Sequence, residues 1–176
     1  MLSEQRVSST NSPDEYLTDA EIRAWGGALL FTTAVLRALD EALVAAHRIS
    51  VKEFEVLITL FNAPGNRLRM TDLAERALLT PSGLTHLVTR LERDGLVRRS
   101  VDAGDRRSFF ATLTRAGHRR LREARPTHNE VIRAHLTRRL TASQLATLGA
   151  LFEALRTGEE RPPRDAKPGT LSASPT

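Results

Sequence analysis

The 176-residue chain contains no cysteine. That excludes a disulfide framework, thiolate metal sites, a cysteine nucleophile and thiol-based redox sensing. Aromatic residues are scarce, with one Trp, one Tyr and six Phe. No apolar run approaches the ~20 residues that span a bilayer. Residues 1–18 lack the apolar core of a secretory signal, so a cytosolic protein is expected. Lysine is nearly absent: Lys52 and Lys167 are the only two, and the remaining basic residues are arginine. What is present fits a globular domain with a real core. Hydrophobic residues make up 40% and charged residues 27%, and the formal net charge is +5. A basic balance favours an acidic partner such as nucleic acid without proving one.

The charge is unevenly placed. Residues 1–62 hold 5 basic and 9 acidic side chains, residues 63–125 hold 14 and 7, and residues 126–176 hold 7 and 5. The excess of +7 therefore sits in the middle of the chain, where it can form an electrostatic footprint on a polyanion. Residues 1–13, rich in Ser, Thr and Asn and ending in Pro13, and residues 158–176, with Gly158, Pro162, Pro163, Pro168, Gly169 and a Ser/Thr/Pro ending, read as disordered tails.

Three capping boxes mark helix starts: Thr18-x-x-Glu21, Ser50-x-x-Glu53 and Thr141-x-x-Gln144. The first helix is expected over 19–46, with Ile22, Trp25, Leu29, Val35, Leu36, Leu39 and Leu43 on its apolar face. The second covers 51–61. Asn62-Ala-Pro-Gly-Asn66 breaks the chain. A short helix over 71–77 follows, and Thr80-Pro81 opens another that stops at Asp94-Gly95. Residues 96–101 and 108–113 read as a hairpin with its tip at 102–107. A long helix begins after Thr114 and is expected to kink or split at Pro126. A last helix covers 142–156. The fold class is mainly α with a small β-hairpin wing. Residues 63–113 have the layout of a winged helix-turn-helix, flanked by helical segments 14–62 and 114–157.

The helix beginning at Thr80 is the candidate recognition helix. Its polar residues are Thr80, Ser82, Thr85, His86, Thr89 and Arg90, and Gly83 leaves room for close backbone approach. An ordinary solvent-facing helix has the same polarity. At the hairpin tip, Asp105, Arg106 and Arg107 have the chemistry to enter a minor groove, with Asp105 orienting Arg106. Taken alone, a solvated polar turn is the more ordinary reading of such a tip. Arg98 and Arg99 suit phosphate contacts. The long first and last helices carry apolar faces that need cover, from one another or from a second copy. The five histidines show no metal-ligand spacing; His128 and His135 lie seven apart without a third ligand. No catalytic constellation, cofactor motif or phosphate loop stands out.

Four stretches together resemble the MarR family of bacterial transcriptional regulators. They are Arg69-Met-Thr-Asp-Leu-Ala74, Leu79-Thr-Pro-Ser-Gly-Leu-Thr-His-Leu-Val-Thr-Arg-Leu-Glu-Arg-Asp-Gly-Leu-Val97, and Asp105-Arg-Arg107 with Leu113-Thr-Arg-Ala-Gly117. The resemblance covers about residues 19–157. It implies a homodimer whose N- and C-terminal helices interlock. It places Thr80, Ser82, Thr85 and His86 toward the major groove of an inverted-repeat operator and makes Arg106 the wing arginine. It also implies a repressor released by a small phenolic or anionic ligand, bound between the dimerisation helices and the winged domain. Trp25, Leu29, His47, Phe54 and Leu57 are the candidate pocket residues, and no cofactor is implied. His86 stands where many relatives carry Arg, which alters the base preference there. Trp25 is similar to a Trp of the urate-responsive branch, but Glu55 stands in the region of that branch's Asp. A protein-interaction module that keeps the winged fold, or a DNA-binding protein without a ligand, is the alternative.

Overall fold

The computed structural model describes residues 16–101 and 108–158. The chain forms two compact units, residues 1–135 and 136–176. The first contains α1 (Asp19–His47), α2 (Val51–Asn62), β1 (Arg67–Arg69), α3 (Met70–Arg76), α4 (Pro81–Arg93), β2 (Val97–Val101), β3 (Phe109–Leu113) and α5 (Arg115–His135). The second contains α6 (Ala142–Thr157), preceded by a short 3-10 turn at Thr137–Arg139. No helix among the described residues is long and apolar enough to cross a membrane.

All three capping boxes form. Thr18, Ser50 and Thr141 accept the backbone N–H three residues on, while Glu21, Glu53 and Gln144 return to the cap N–H. Arg48 and Gly158 close α1 and α6 in the left-handed conformation. Thr80 caps α4 by accepting the Gly83 N–H at 3.2 Å.

The core of the first unit gathers around α2. Phe54, Val56, Leu57 and Leu60 are fully buried against Leu39 and Leu43 of α1, Leu73 of α3, Leu84, Val88 and Leu91 of α4, and Leu121 and Ala124 of α5. The sheet is antiparallel in the order β1-β3-β2. Its inner face presents Leu68, Val97, Ala111 and Leu113 to this core.

Two expectations change. The hairpin gains a third strand, β1, in which only Leu68 is buried between two exposed arginines. Three residues are too few for an alternation signal, and the strand exists only because β3, more than forty residues later, offers it a ladder. Second, α5 does not split at Pro126 but runs through it. Proline removes one helical hydrogen bond. The helix is held on both sides of that point, by Leu121 and Ala124 before it and by Val131 and Ile132 after it. Close packing also fixes the start of α5. A Cβ on Gly117 would overlap the Leu96 carbonyl oxygen and the Leu113 side chain.

Candidate nucleic-acid interface

The sequence of α4 separates into two faces. Leu84, Val88 and Leu91 are fully buried, whereas Ser82, Thr85, His86 and Thr89 are exposed. The exposed set has the spacing i, i+3, i+4 and i+7, so these four side chains share one face near the N-terminal end of the helix. Arg93, a further turn along, extends that face. Sequence reading missed it, although its spacing of eleven from Ser82 was available in the pattern. Its guanidinium lies 3.2 Å from Asp94 in an exposed pair, which contributes little to stability.

The hydrogen bonding of this face is already partly spent. Thr85 donates its hydroxyl to the Pro81 carbonyl at 2.8 Å, and Thr89 donates to the Thr85 carbonyl at 2.8 Å. Both hydroxyls keep lone pairs as acceptors, and both methyl groups remain for apolar contact, the combination that meets a donor edge or a thymine methyl. Ser82 and Thr80 share a weak 3.4 Å contact. The free N–H groups of the first turn favour phosphate. Gly83 has a local reason as well: a Cβ there would lie 3.0 Å from Thr80 Oγ1.

Arg90 takes a different position. Its Nε lies 2.6 Å from Glu53 Oε1, and its Nη2 donates to Glu53 Oε2 at 2.7 Å. Glu53 is 1% exposed and is the only buried charged side chain among the described residues. It also accepts from the Ser50 N–H and hydroxyl at 2.8 and 2.9 Å. The capping carboxylate of α2 is thus the anchor of α4. One further link joins α1 to this cap, since the Val51 N–H donates to Asp40 Oδ1 at 2.9 Å. A charged group so deeply buried needs these partners. The sequence pattern showed Glu53 only as a cap.

On the sheet, Arg98 is exposed, while Arg99 reaches Glu92 through its backbone N–H (3.0 Å) and its Nε (2.7 Å). The backbone N–H of Arg99, followed by its guanidinium, holds the Glu92 carboxyl below its ordinary range. Asp105, Arg106 and Arg107 lie outside the described residues.

The five candidate pocket residues have different settings. Phe54 and Leu57 are fully buried core. His47 is half-buried and shares a 2.8 Å hydrogen bond with Thr127 Oγ1. Trp25 and Leu29 are 65% and 51% exposed on the N-terminal part of α1, and Trp25 lies ~33 Å along the helix from His47. His128 stacks on Phe54 with centroids 4.3 Å apart, and His135 bonds the Val131 carbonyl. A different cleft, of about 200 Å³, lies between α2 and α5 and is lined by Phe61, His118, Leu121, Arg122 and Arg125. Arg125 lies over the Phe61 ring at 4.9 Å, and its buried Nε has no hydrogen-bond partner. His118 meets the same ring edge-on at 5.5 Å.

Comparison with known proteins agrees with this geometry. The MarR family pattern matches residues 49–109. The chain is 34% identical over 114 residues to the transcriptional repressor YetL of Bacillus subtilis, covering 63% of this chain and 68% of that one. It is 30% identical over 128 residues to the homoprotocatechuate degradative operon repressor of Escherichia coli, covering 69% and 84%. Among solved structures, the MarR family regulator Sco3205 of Streptomyces coelicolor, in complex with DNA, superposes with a TM-score of 0.76 at 34% identity, over 86% of this chain and 96% of that one. AbsC of the same organism, also a MarR family regulator, gives 0.74 at 31% identity, over 81% and 96%. With its three-stranded winged sheet and capped α4, the chain belongs to the MarR family.

Proposed function

We propose that the protein is a sequence-specific, DNA-binding transcriptional regulator that works in the cytoplasm as a homodimeric repressor. The observation that carries this reading is the exposed face of α4. Four polar side chains stand in register on a helix whose opposite side is locked into the core and whose far turn is tied to Glu53. Such a helix fits a major groove without reorganising, so little ordering entropy is lost on binding. The DNA complex of the similar Sco3205 supports the same use. Thr80, Ser82, Thr85, His86 and Thr89 are the base-facing set. Gly83 permits close approach, and Arg98 serves phosphate. By family resemblance, Asp105, Arg106 and Arg107 form the wing contact.

Dimerisation is supported by the exposed apolar half of α1. Ile22, Trp25, Leu29 and Leu30 are 54%, 65%, 51% and 74% exposed. A surface of this kind marks an interface, and a twofold protein reads two half-sites ~34–36 Å apart. The repressor is released by a small anionic, single-ring ligand. The cleft at Phe61 suits it better than the five residues read from the sequence, because a buried arginine donor there lacks an acceptor. Release requires that the ligand favour the DNA-incompetent arrangement of the two recognition helices.

The test is titration of a duplex from the gene's own upstream region against a scrambled duplex, across a salt series. A preference of ~10³-fold or more supports a site-specific regulator. Equal, salt-sensitive binding to both contradicts sequence reading.

A further inference from the structure

The geometry points to a second DNA-binding surface, on the back of the winged sheet and along α5, which holds the phosphate backbone of duplex flanking the operator half-site. It rests on the DNA-binding reading above and extends it.

Two groups of arginines in and beside the winged region differ in their partners. Those on α4 and the inner sheet face are neutralised: Arg90 by Glu53, Arg93 by Asp94 and Arg99 by Glu92. Arg67, Arg98, Arg115, Arg119 and Arg122 are all exposed, and none makes an ion pair among the described residues. These five form one connected ridge. Arg67 and Arg98 pair with Thr112 from either side, so they share a face and lie ~10 Å apart, two strand spacings. That face is opposite the one carrying Leu68 and Ala111, which enters the core. Arg98 and Arg115 line a single cleft with Thr112, Leu113 and Thr114. Arg115, Arg119 and Arg122 follow at i, i+4 and i+7 and carry the ridge another ~10 Å along α5.

Concentrated charge of one sign is self-repelling and suits a polyanion, and the exposed Glu123, four residues beyond Arg119, is the one acid beside the α5 arginines. A duplex presents one phosphate charge per ~1.7 Å of axis, so a ridge of ~20 Å faces many of them. Arg67 is preset for such a contact, with its guanidinium 3.7 Å above the Phe110 ring. The surface lacks the exposed apolar anchors that protein interfaces use. None of the exposed large hydrophobic residues lies on the same sheet face or among the α5 arginines. Protein–DNA interfaces are instead polar and positively charged. Because the sheet face is turned from α4, flanking duplex reaches it only by curving around the wing. The ridge therefore bends or wraps the DNA as well as adding affinity.

The experiment uses the full chain and a variant carrying Arg67→Gln, Arg115→Gln and Arg119→Gln. Each is titrated across a salt series with a short operator duplex and with the same duplex extended by about 10 base pairs, one helical turn, at each end. The wild type is expected to show a steeper salt dependence on the extended duplex. The variant should lose ~0.9 of logarithmic slope per contact there and match the wild type on the short one. Replacing the three by Lys should restore the slope. If the triple variant melts below the wild type, Arg119→Gln alone, on an exposed helix face, reads one contact by the same comparison. No gain on extension, or equal losses on both duplexes, overturns the proposal. A variant indistinguishable from wild type on both also overturns it and leaves the ridge to an acidic protein. Wild type that binds neither duplex overturns the regulator reading too, whereas site-specific binding to the short duplex without gain on extension overturns the ridge alone.

Discussion

The two halves of α1 have similar apolar patterns and opposite fates. In the C-terminal half, Leu39 and Leu43 are buried, Asp40 accepts the Val51 N–H, and the His47 carbonyl accepts from Arg120 at 2.8 Å. In the N-terminal half, Ile22, Trp25, Leu29 and Leu30 remain at least half exposed. Periodicity shows that a helix has an apolar face; it does not say whether the cover comes from the same chain. The C-terminal half is part of the folding core, and the N-terminal half is left uncovered by its own unit.

This contrast can be broken from either side. The largest effect is expected at Leu43, where Leu43→Ala should cost ~2–5 kcal/mol by opening a cavity. Denaturant melts should show the loss at every protein concentration. Gly117→Ala should cost ~1–3 kcal/mol, because a methyl group must displace the Leu96 backbone or the Leu113 side chain. Melts of the full chain check this, and no loss would show that the α5 start has slack. Trp25→Ser with Leu29→Ser should leave the melt of dilute protein nearly unchanged and abolish its dependence on concentration. Sedimentation equilibrium should then return a monomer; a surviving dimer would place the interface elsewhere.

The smallest effect concerns Glu92. Its carboxyl is held below the ordinary range, first by the Arg99 backbone N–H. A depressed folded value gives stabilisation that is present above the unfolded range and lost as pH falls through the folded one. Glu92→Gln should therefore weaken the fold slightly at neutral pH and not at all in acid. A penalty that persists in acid would assign the loss to packing.

Much of the fold was legible because its signals are local. Capping boxes, Thr80-Pro81 and the α4 stripe each involve a few neighbouring residues, and all form. What escaped depends on distant pairing. β1 needs β3, the continuity of α5 through Pro126 needs the packing around it, and Arg90 meets Glu53 from thirty-seven positions away. The same holds for the candidate sites. The exposed face of α4 followed from its period, whereas the residues read as a pocket range from buried core (Phe54, Leu57) through half-buried His47 to the exposed Trp25 and Leu29. The cleft around Arg125 is built from α2 and α5 faces that no short window joins.

The most direct test of α4 as the reading element is Ser82→Ala, Thr85→Ala and His86→Ala in one chain, titrated with upstream and scrambled duplexes across salt. The account predicts that the preference for the upstream duplex collapses while the salt slope stays near that of the wild type, because base contacts are lost and phosphate contacts remain. A variant that keeps its preference would contradict the assignment of α4 as the helix that reads the operator.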